Sequence, residues 1–237
     1  MAFEMVFNNK SNSELDFNIV KRPNIPAPKK KYIEEEQEGQ DGKTIEDTGY
    51  YEDISIEVEC NFVSNNPNKW NVYFRRIKNW INNIDDYKLS FSDDQGYFYM
   101  VKKAEISDSE RSIKVLGKFK IKFTLDPYMY LESGLEEIEL PRNIDNEYDV
   151  CKPEYRIEGL GICTLNINGV NIACNVDKDG LILNTSLGLA YKCSDKSFAN
   201  NRILIDEWSD AFIKNGENTF SWTNGFNVYL TPNWREI

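Results

Sequence analysis

The stretch PNKWNVYFRRIKNWINNI, from Pro67 to Ile84, decides the fold, because its large apolar residues recur at helical spacing. Asn66 is a candidate N-cap, and Pro67 takes the first helical position, where its missing N–H costs nothing. The basic residues of the stretch fall on the opposite face. The predicted apolar stripe consists of Trp70, Phe74, Ile77, Trp80, Ile81 and Ile84. Burying each such side chain contributes roughly 1.5–3 kcal/mol, so neighbouring structure must cover this stripe.

Strand patterns flank the predicted helix on both sides. From Glu52 to Phe62 apolar and polar residues alternate without a break, which predicts a half-buried antiparallel strand. After the helix, YKLSF, the turn SDDQG and YFYMV predict a hairpin. Residues 112–125 alternate again and predict a long strand, which we expect Asp126-Pro127 to end.

Composition bounds the class of protein. The 237 residues carry a net charge of -11, which favours solubility and argues against a general nucleic-acid binder. No run of about 18 apolar residues could span a bilayer. The first residues, MAFEMVFNN, lack the basic and apolar regions of a signal peptide. We therefore expect a protein made and kept in a cytosol, with no membrane partner.

Catalytic and metal-binding patterns are missing from the sequence. There is no histidine, so Ser-His-Asp, Cys-His and mixed zinc arrangements cannot form. The paired carboxylates Asp93-Asp94 and Glu136-Glu137 could in principle do acid and base work, but 39 acidic residues produce such pairs by chance. We expect no enzyme, no cofactor and no metal site.

The five cysteines give an odd count without a C-x-x-C pair. We interpret them as buried thiols. Cys163 and Cys174 fall opposite each other if Asn168-Gly169 forms a two-residue hairpin turn, so oxidation could join them. We do not expect this disulfide in a cell.

The segment before the first long strand carries two blocks of opposite charge. The first 20 residues predict two short strands, and three prolines in KRPNIPAPKKK favour an extended arm. EEEQEGQDGK then reverses the charge. The two blocks could pair with each other or with a neighbouring copy, or form a solvated loop. The candidate interface residues of this arm are Lys29, Lys30, Lys31, Glu34, Glu35 and Glu36.

The sequence divides into two β-rich parts. Turn residues and charge without a clear period place a boundary within residues 137–150. Many short strands joined by Gly, Asn and Asp turns then predict a β-sandwich. The expected domains are 1–140, β-sandwich-like with one amphipathic helix at about 67–84, a linker at 141–152, and a second sandwich at 153–237.

The first half of the chain carries a series of motifs in a fixed order. They are SELDFNI at 13–19, the G-x-D-G turn at 39–42, Tyr50-Tyr51 before a strand, the amphipathic helix, L-x-F-x-D-D at 89–94 and F-x-I-x-F followed by Pro-Tyr at 119–128. This series resembles the distal tail proteins of tailed bacteriophages that infect Gram-positive bacteria. Gln40 stands in the turn where the family leads us to expect arginine, so the ion pair usually made there is not expected.

The second half is similar to the C-terminal domain of the same family. Its motifs are P-x-Y-x-I-x-G-x-G-x-x-x-L-x-I-N-G at 153–169, G-E-N at 216–218 and P-x-W-R at 232–235. The resemblance implies a mainly β protein whose N-terminal belt domains form a ring, usually a hexamer, with galectin-like C-terminal sandwiches projecting outward. It also implies no catalysis.

The implied role is that of a hub within a phage virion. In that family the ring joins the tail tube protein to a tail-tip protein or tail-associated lysin and to receptor-binding proteins. The particle is assembled in the cytoplasm of the bacterial host. The hypothesis therefore includes self-association as well as these protein partners.

Lysines on one predicted strand suggest a further contact, with DNA passing through the ring. A row of them would stand on one face of the strand at residues 112–125 and could line the channel. The alternatives are a solvated face, or pairing with Glu57 and Glu59 of a neighbouring strand. The row consists of Lys114, Lys118, Lys120 and Lys122.

An aromatic set near the C-terminus supports a rival function. Aromatic faces stack on sugar rings, so the chain could instead be a carbohydrate-binding module or adhesin that recognises host cell-wall polysaccharide. Trp222 and Tyr229 fall in strand patterns, where core packing is the usual role. Trp208 and Trp234 are the remaining candidates for sugar stacking.

Overall fold

The structure is a computed structural model that describes residues 3–36, 38–39, 41–111 and 114–237. The chain forms two compact units, residues 1–129 together with Ile237, and Tyr130–Glu236. Each unit has its own hydrophobic core. The prediction of a mainly β protein is confirmed. Within the described residues, no helix is both long and apolar enough to cross a membrane.

The first unit is built on one antiparallel sheet and a separate hairpin. Its strands are β1 (Met5–Phe7), β2 (Lys10–Ser11), β3 (Asn18–Ile19), β4 (Lys30–Glu36), β5 (Lys43–Tyr51), β6 (Ile54–Val63), β7 (Lys88–Phe91), β8 (Tyr97–Arg111) and β9 (Leu116–Leu131). The order across the sheet is β2-β1-β7-β8-β9-β6-β3, whereas β4 and β5 pair with each other. The start of the chain therefore holds three short strands rather than the two predicted.

The predicted helix is confirmed, with slightly shorter bounds. A 3₁₀ turn at Pro67–Lys69 leads into α1 (Trp70–Asn82). The side chain of Asn66 caps the turn by accepting a hydrogen bond from the N–H of Asn68 at 2.9 Å. The predicted stripe faces the core, although Ile84 lies beyond the end of α1 and is only partly buried. Its fully packed members are Trp70, Phe74, Ile77, Trp80 and Ile81.

Strand β9 differs from its prediction at both ends. It begins at Leu116, so Lys114 lies in the bend before it, and Ser112 and Ile113 of the predicted strand fall outside the described residues. At its other end β9 continues through Asp126 and Pro127. Because Leu125 already faces Ile54, the first residue of β6, Pro127 lies past the end of that partner. A missing proline N–H therefore removes no hydrogen bond to β6.

The second unit contains two five-stranded sheets. Their strands are β10 (Ile138–Glu139), β11 (Asn143–Asn146), β12 (Glu154–Glu158), β13 (Gly161–Ile167), β14 (Val170–Val176), β15 (Leu181–Asn184), β16 (Leu189–Lys192), β17 (Ile203–Leu204), β18 (Gly216–Trp222) and β19 (Asn227–Thr231). The short β20 (Arg235–Glu236) pairs with β9. The sheet orders are β10-β19-β12-β15-β16 and β11-β18-β13-β14-β17.

The predicted hairpin of the second unit is confirmed in register. Asn168 and Gly169 have φ angles of 51° and 88°, as a two-residue turn between right-twisted strands requires. Cys163 therefore faces Cys174 across β13 and β14. All five cysteines are free thiols.

The division of the chain differs from the expected domain limits. Along the chain, the first compact unit ends at Met129 and the second begins at Tyr130, inside β9, rather than near residue 140. The expected linker at 141–152 contains β11, which pairs with β18 from Asn143↔Thr219 to Asn146↔Gly216. Because its backbone is held in a sheet, this segment does not act as a free connection.

Candidate assembly surfaces

The charged arm forms a two-stranded hairpin, which we call the arm hairpin (β4 and β5). Pairing runs from Tyr32↔Asp47 to Glu36↔Lys43, with a bulge between Lys30 and Tyr32. The backbone of Lys29 continues the ladder by accepting from the N–H of Glu52 at 2.8 Å. Gln40, in the turn, lies outside the described residues. The solvated loop considered from the sequence is therefore an ordered ribbon.

The opposite charges of the arm hairpin meet across its strands. The Lys30 ammonium lies 2.6 Å from the Asp47 carboxylate, and the Lys43 ammonium lies 2.9 Å from that of Glu34. The hydrogen bond to Asp47 raises the pKa of Lys30, and the same bond lowers the pKa of Asp47. Lys30 of one charged block on β4 and Glu34 of the other thus pair with residues on β5 and not with each other.

The arm hairpin has no buried face. Every residue of β4 is exposed, and β5 is only slightly more covered. Its apolar side chains stand in solvent, with Ile33 48% exposed and Ile45 63% exposed. An isolated two-stranded hairpin is marginally stable at best in water. Burial within its own chain therefore contributes little to the stability of this ribbon.

The predicted lysine row is brought together only in part. Lys118, Lys120 and Lys122 are exposed on the same face of β9, whereas Lys114 precedes the strand. Lys120 lies 2.6 Å from Glu57 and 3.5 Å from Glu59 across the ladder to β6. These two hydrogen-bonded carboxylates raise the pKa of Lys120, Glu57 more than Glu59. The face thus carries both signs of charge, and its channel role stays a prediction.

One member of each carboxylate pair considered for catalysis takes part in an ion pair. Asp93 lies 2.9 Å from the guanidinium of Arg22. Glu137 accepts two hydrogen bonds from Arg156, at 2.7 and 2.8 Å. Hydrogen bonding to Arg156 lowers the pKa of Glu137. Within the part of the chain that the structure describes, no group of three or more acidic or cysteine side chains is arranged to hold a metal ion.

The aromatic set of the second unit is largely packed. Trp208 and Trp234 are partly buried against the second core, and Trp234 lies 5.8 Å from Tyr148 between ring centroids. Cations cover the other two rings. Arg142 lies 3.9 Å above the Trp222 ring, and Arg156 lies 3.9 Å above the Tyr229 ring. A sugar would have to displace these guanidinium groups to stack there.

One surface that sequence analysis did not single out lies beside α1. A groove of about 560 Å³ is lined by the β1–β2 turn and by the exposed side of α1. Lys10, Arg75 and Val72 line it, and Val72 is 57% exposed. The signal was present in the sequence, because α1 carries three basic residues and no acidic one in a chain of net charge -11.

Comparison with known proteins shows what this chain is similar to. Residues 10–125 match the phage tail protein RIFT-related domain. The match spans just under half of the chain, and this part of it is similar to phage tail proteins. No curated protein matches the sequence of this chain.

Solved structures show which proteins share the fold of this chain. The Dit protein of phage SPP1, described as a paradigm of the hub adsorption apparatus in phages that infect Gram-positive bacteria, superposes with a TM-score of 0.65 at 14% identity, covering 100% of this chain and 99% of that one. A chain of the phage P2 baseplate in its activated conformation with Ca gives a TM-score of 0.54 at 10% identity, covering 100% of this chain and 99% of that one. The same baseplate in its activated conformation with Sr gives a TM-score of 0.52 at 9% identity, covering 96% of each chain. The resemblance to distal tail proteins is thereby confirmed.

Proposed function

We propose that this chain is a structural hub of a phage tail. It forms a hexameric ring between the tail tube and the tail tip or baseplate. The observation that carries the proposal is the arm hairpin, a two-stranded ribbon with no buried residue in either strand. Such a ribbon gains stability when a neighbouring copy covers it. The charged pairs within it would fix its shape before docking.

In this ring, the arm hairpin of each copy binds the neighbouring copy. A ring of identical copies uses a heterologous interface, in which one surface of each copy binds a different surface of the next. The residues Lys29, Lys30, Lys31, Glu34, Glu35 and Glu36 belong to the donating surface. The likeness to the Dit protein of phage SPP1 supports this arrangement at the level of the fold.

The partners of the ring follow from its place in the tail. The tail tube protein binds one side, and a tail-tip protein or tail-associated lysin with receptor-binding proteins binds the other. Assembly takes place in the host cytoplasm, and the role is not enzymatic. DNA passes through the ring, where Lys118 and Lys122 face the channel with Lys114 near them, while Lys120 is held by Glu57 and Glu59.

Negative-stain electron microscopy of the purified protein, alone and with its tail tube protein, tests the hub. We expect closed rings whose central hole is wide enough for duplex DNA, roughly 20 Å across. Particles that stay monomeric with and without the tube protein would contradict it. Binding of host cell-wall polysaccharide by such monomers would favour the carbohydrate-binding alternative, with Trp208 and Trp234 as its candidates.

A further inference from the structure

The groove beside α1 (Lys10, Val72 and Arg75) has unpaired positive charge. Arg76, on the same side of the helix, is held by the carbonyl of Glu14 at 2.8 Å and by the Asp16 carboxylate at 3.2 Å. No carboxylate among the described residues lies within ion-pair distance of Lys10 or Arg75. Both side chains are exposed, and the one acidic residue that lines the groove is Asp85. The groove therefore attracts negative charge.

One face of the arm hairpin complements this groove. Ile33 lies directly opposite Glu46, and Glu35 lies directly opposite Thr44, so these four side chains share a face. In the described part of the chain neither Glu35 nor Glu46 has an ion-pair partner, because Lys30 and Lys43 pair with Asp47 and Glu34 instead. Residues 34–47 together hold seven acidic residues and one lysine.

We propose that the groove beside α1 binds the Ile33–Glu35 face of the arm hairpin from a second copy of this chain. Glu35 and Glu46 meet Arg75 and Lys10, and Ile33 packs on Val72. The proposal rests on the ring described above and names the receiving surface, which the ring alone does not specify. Each copy carries both surfaces, as a ring with a heterologous interface requires.

The occupant is a second copy because the arm hairpin does not reach the groove of its own chain. All of β4 is exposed, and Val72 is 57% exposed. A single chain thus leaves an acidic ribbon and a basic groove both uncovered. Opposite potentials on two surfaces speed their encounter and fix their register. An arm bound in this way would bury exposed apolar groups on both sides.

Paired charge reversals test this docking, with mass photometry as the readout of self-association. The groove variant is Lys10→Glu with Arg75→Glu, the arm variant is Glu35→Lys with Glu46→Lys, and a third chain carries all four changes. The matched control reverses Lys178 and Lys196, which are exposed in the second unit. We expect each double variant to weaken association by at least about tenfold, as lost charge pairs at interfaces do.

The four-substitution chain is expected to regain assembly, because the interacting charges are exchanged and not removed. Rings formed equally well by the groove variant and by the control would overturn the docking site while leaving the hub intact. A four-substitution chain no better than the double variants would overturn it as well. A wild-type chain that never associates, even with the tube protein, would overturn the hub and this docking site together.

Discussion

The side-chain amide of Asn8 donates a hydrogen bond to the main-chain carbonyl of Trp80 at 2.9 Å. It donates a second one to the carbonyl of Asn83 at 2.7 Å, while its oxygen accepts from the N–H of Asp85 at 2.8 Å. The end of α1 is therefore satisfied by a residue of the β1–β2 turn. Trp80 returns the contact, since its indole N–H donates to the carbonyl of Phe7 at 3.0 Å.

Replacing Asn8 by Ala is expected to destabilise the first unit by about 2–3 kcal/mol, because it leaves buried carbonyl and N–H groups without partners. Asn9→Ala is the matched control. Both residues have positive φ, 49° and 58°, so both substitutions share the backbone cost, but Asn9 is exposed. Urea unfolding followed by tryptophan fluorescence measures the difference. Equal midpoints for the two variants would contradict the assigned role of Asn8.

The ion pair between Glu137 and Arg156 makes the second unit sensitive to acid. The hydrogen bond from Arg156 lowers the pKa of Glu137 from its usual 4.5. A carboxylate with a lowered pKa in the folded state adds stability above its unfolded pKa, and this contribution is lost as pH falls through the folded value. We expect Glu137→Gln to cost about 0.5–1 kcal/mol at pH 7, the range of partly exposed pairs.

Thermal unfolding at several pH values measures this effect, with Glu136→Gln as the control. Glu136 is an exposed neighbour of the same charge. The melting temperatures of the Glu137→Gln variant and the wild type should converge as pH falls below the lowered folded pKa of Glu137, where its carboxylate is protonated. A gap of the same size at pH 3 and pH 7 would show that the loss is not electrostatic.

The cysteines are expected to differ in reactivity. Burial raises the pKa of Cys151 to about 11 and that of Cys174 to about 12, and Cys60 and Cys163 are also buried with raised pKa values. Cys193 alone among the five is partly exposed. Because only an accessible thiolate reacts, brief treatment with iodoacetamide should modify Cys193 first. Mass spectrometry of the digested protein would contradict this if Cys60 were labelled as fast.

The lysine face of β9 yields a prediction about DNA. Lys118→Glu with Lys122→Glu should leave ring assembly intact, because these residues lie outside the arm hairpin and the α1 groove. It should slow genome passage by placing negative charge against phosphate. Phage carrying the variant would be compared with phage carrying Lys178→Glu in an ejection assay. Normal ejection by the former would remove the channel role.

The core elements of both units could be predicted from sequence because their burial is periodic. The stripe of α1 and the alternation of β6 each repeat over ten residues or more, and one face of each meets a core. The turn at Asn168-Gly169 was equally predictable, since few residue pairs accept two positive φ angles. These signals are local and need no knowledge of the partner element.

The arm hairpin and the edge strands escaped prediction for the opposite reason. Strand β4 has no buried face, so its sequence shows charge where an alternation would otherwise appear. Strand β11 is short and pairs with β18, which lies about 70 residues later in the chain. The α1 groove depends on a turn more than 60 residues away from Arg75. Such surfaces become visible only when distant segments are placed together.

The native mass of the wild-type chain, measured beside a chain in which a Gly-Ser linker replaces residues 30–51, tests the central claim most directly. The arm hairpin carries no core residue, so its removal should leave the fold intact, which circular dichroism would verify. The account predicts a closed oligomer for the wild type, with six copies, and a monomer for the shortened chain under the same conditions. An identical oligomer from both chains would contradict it.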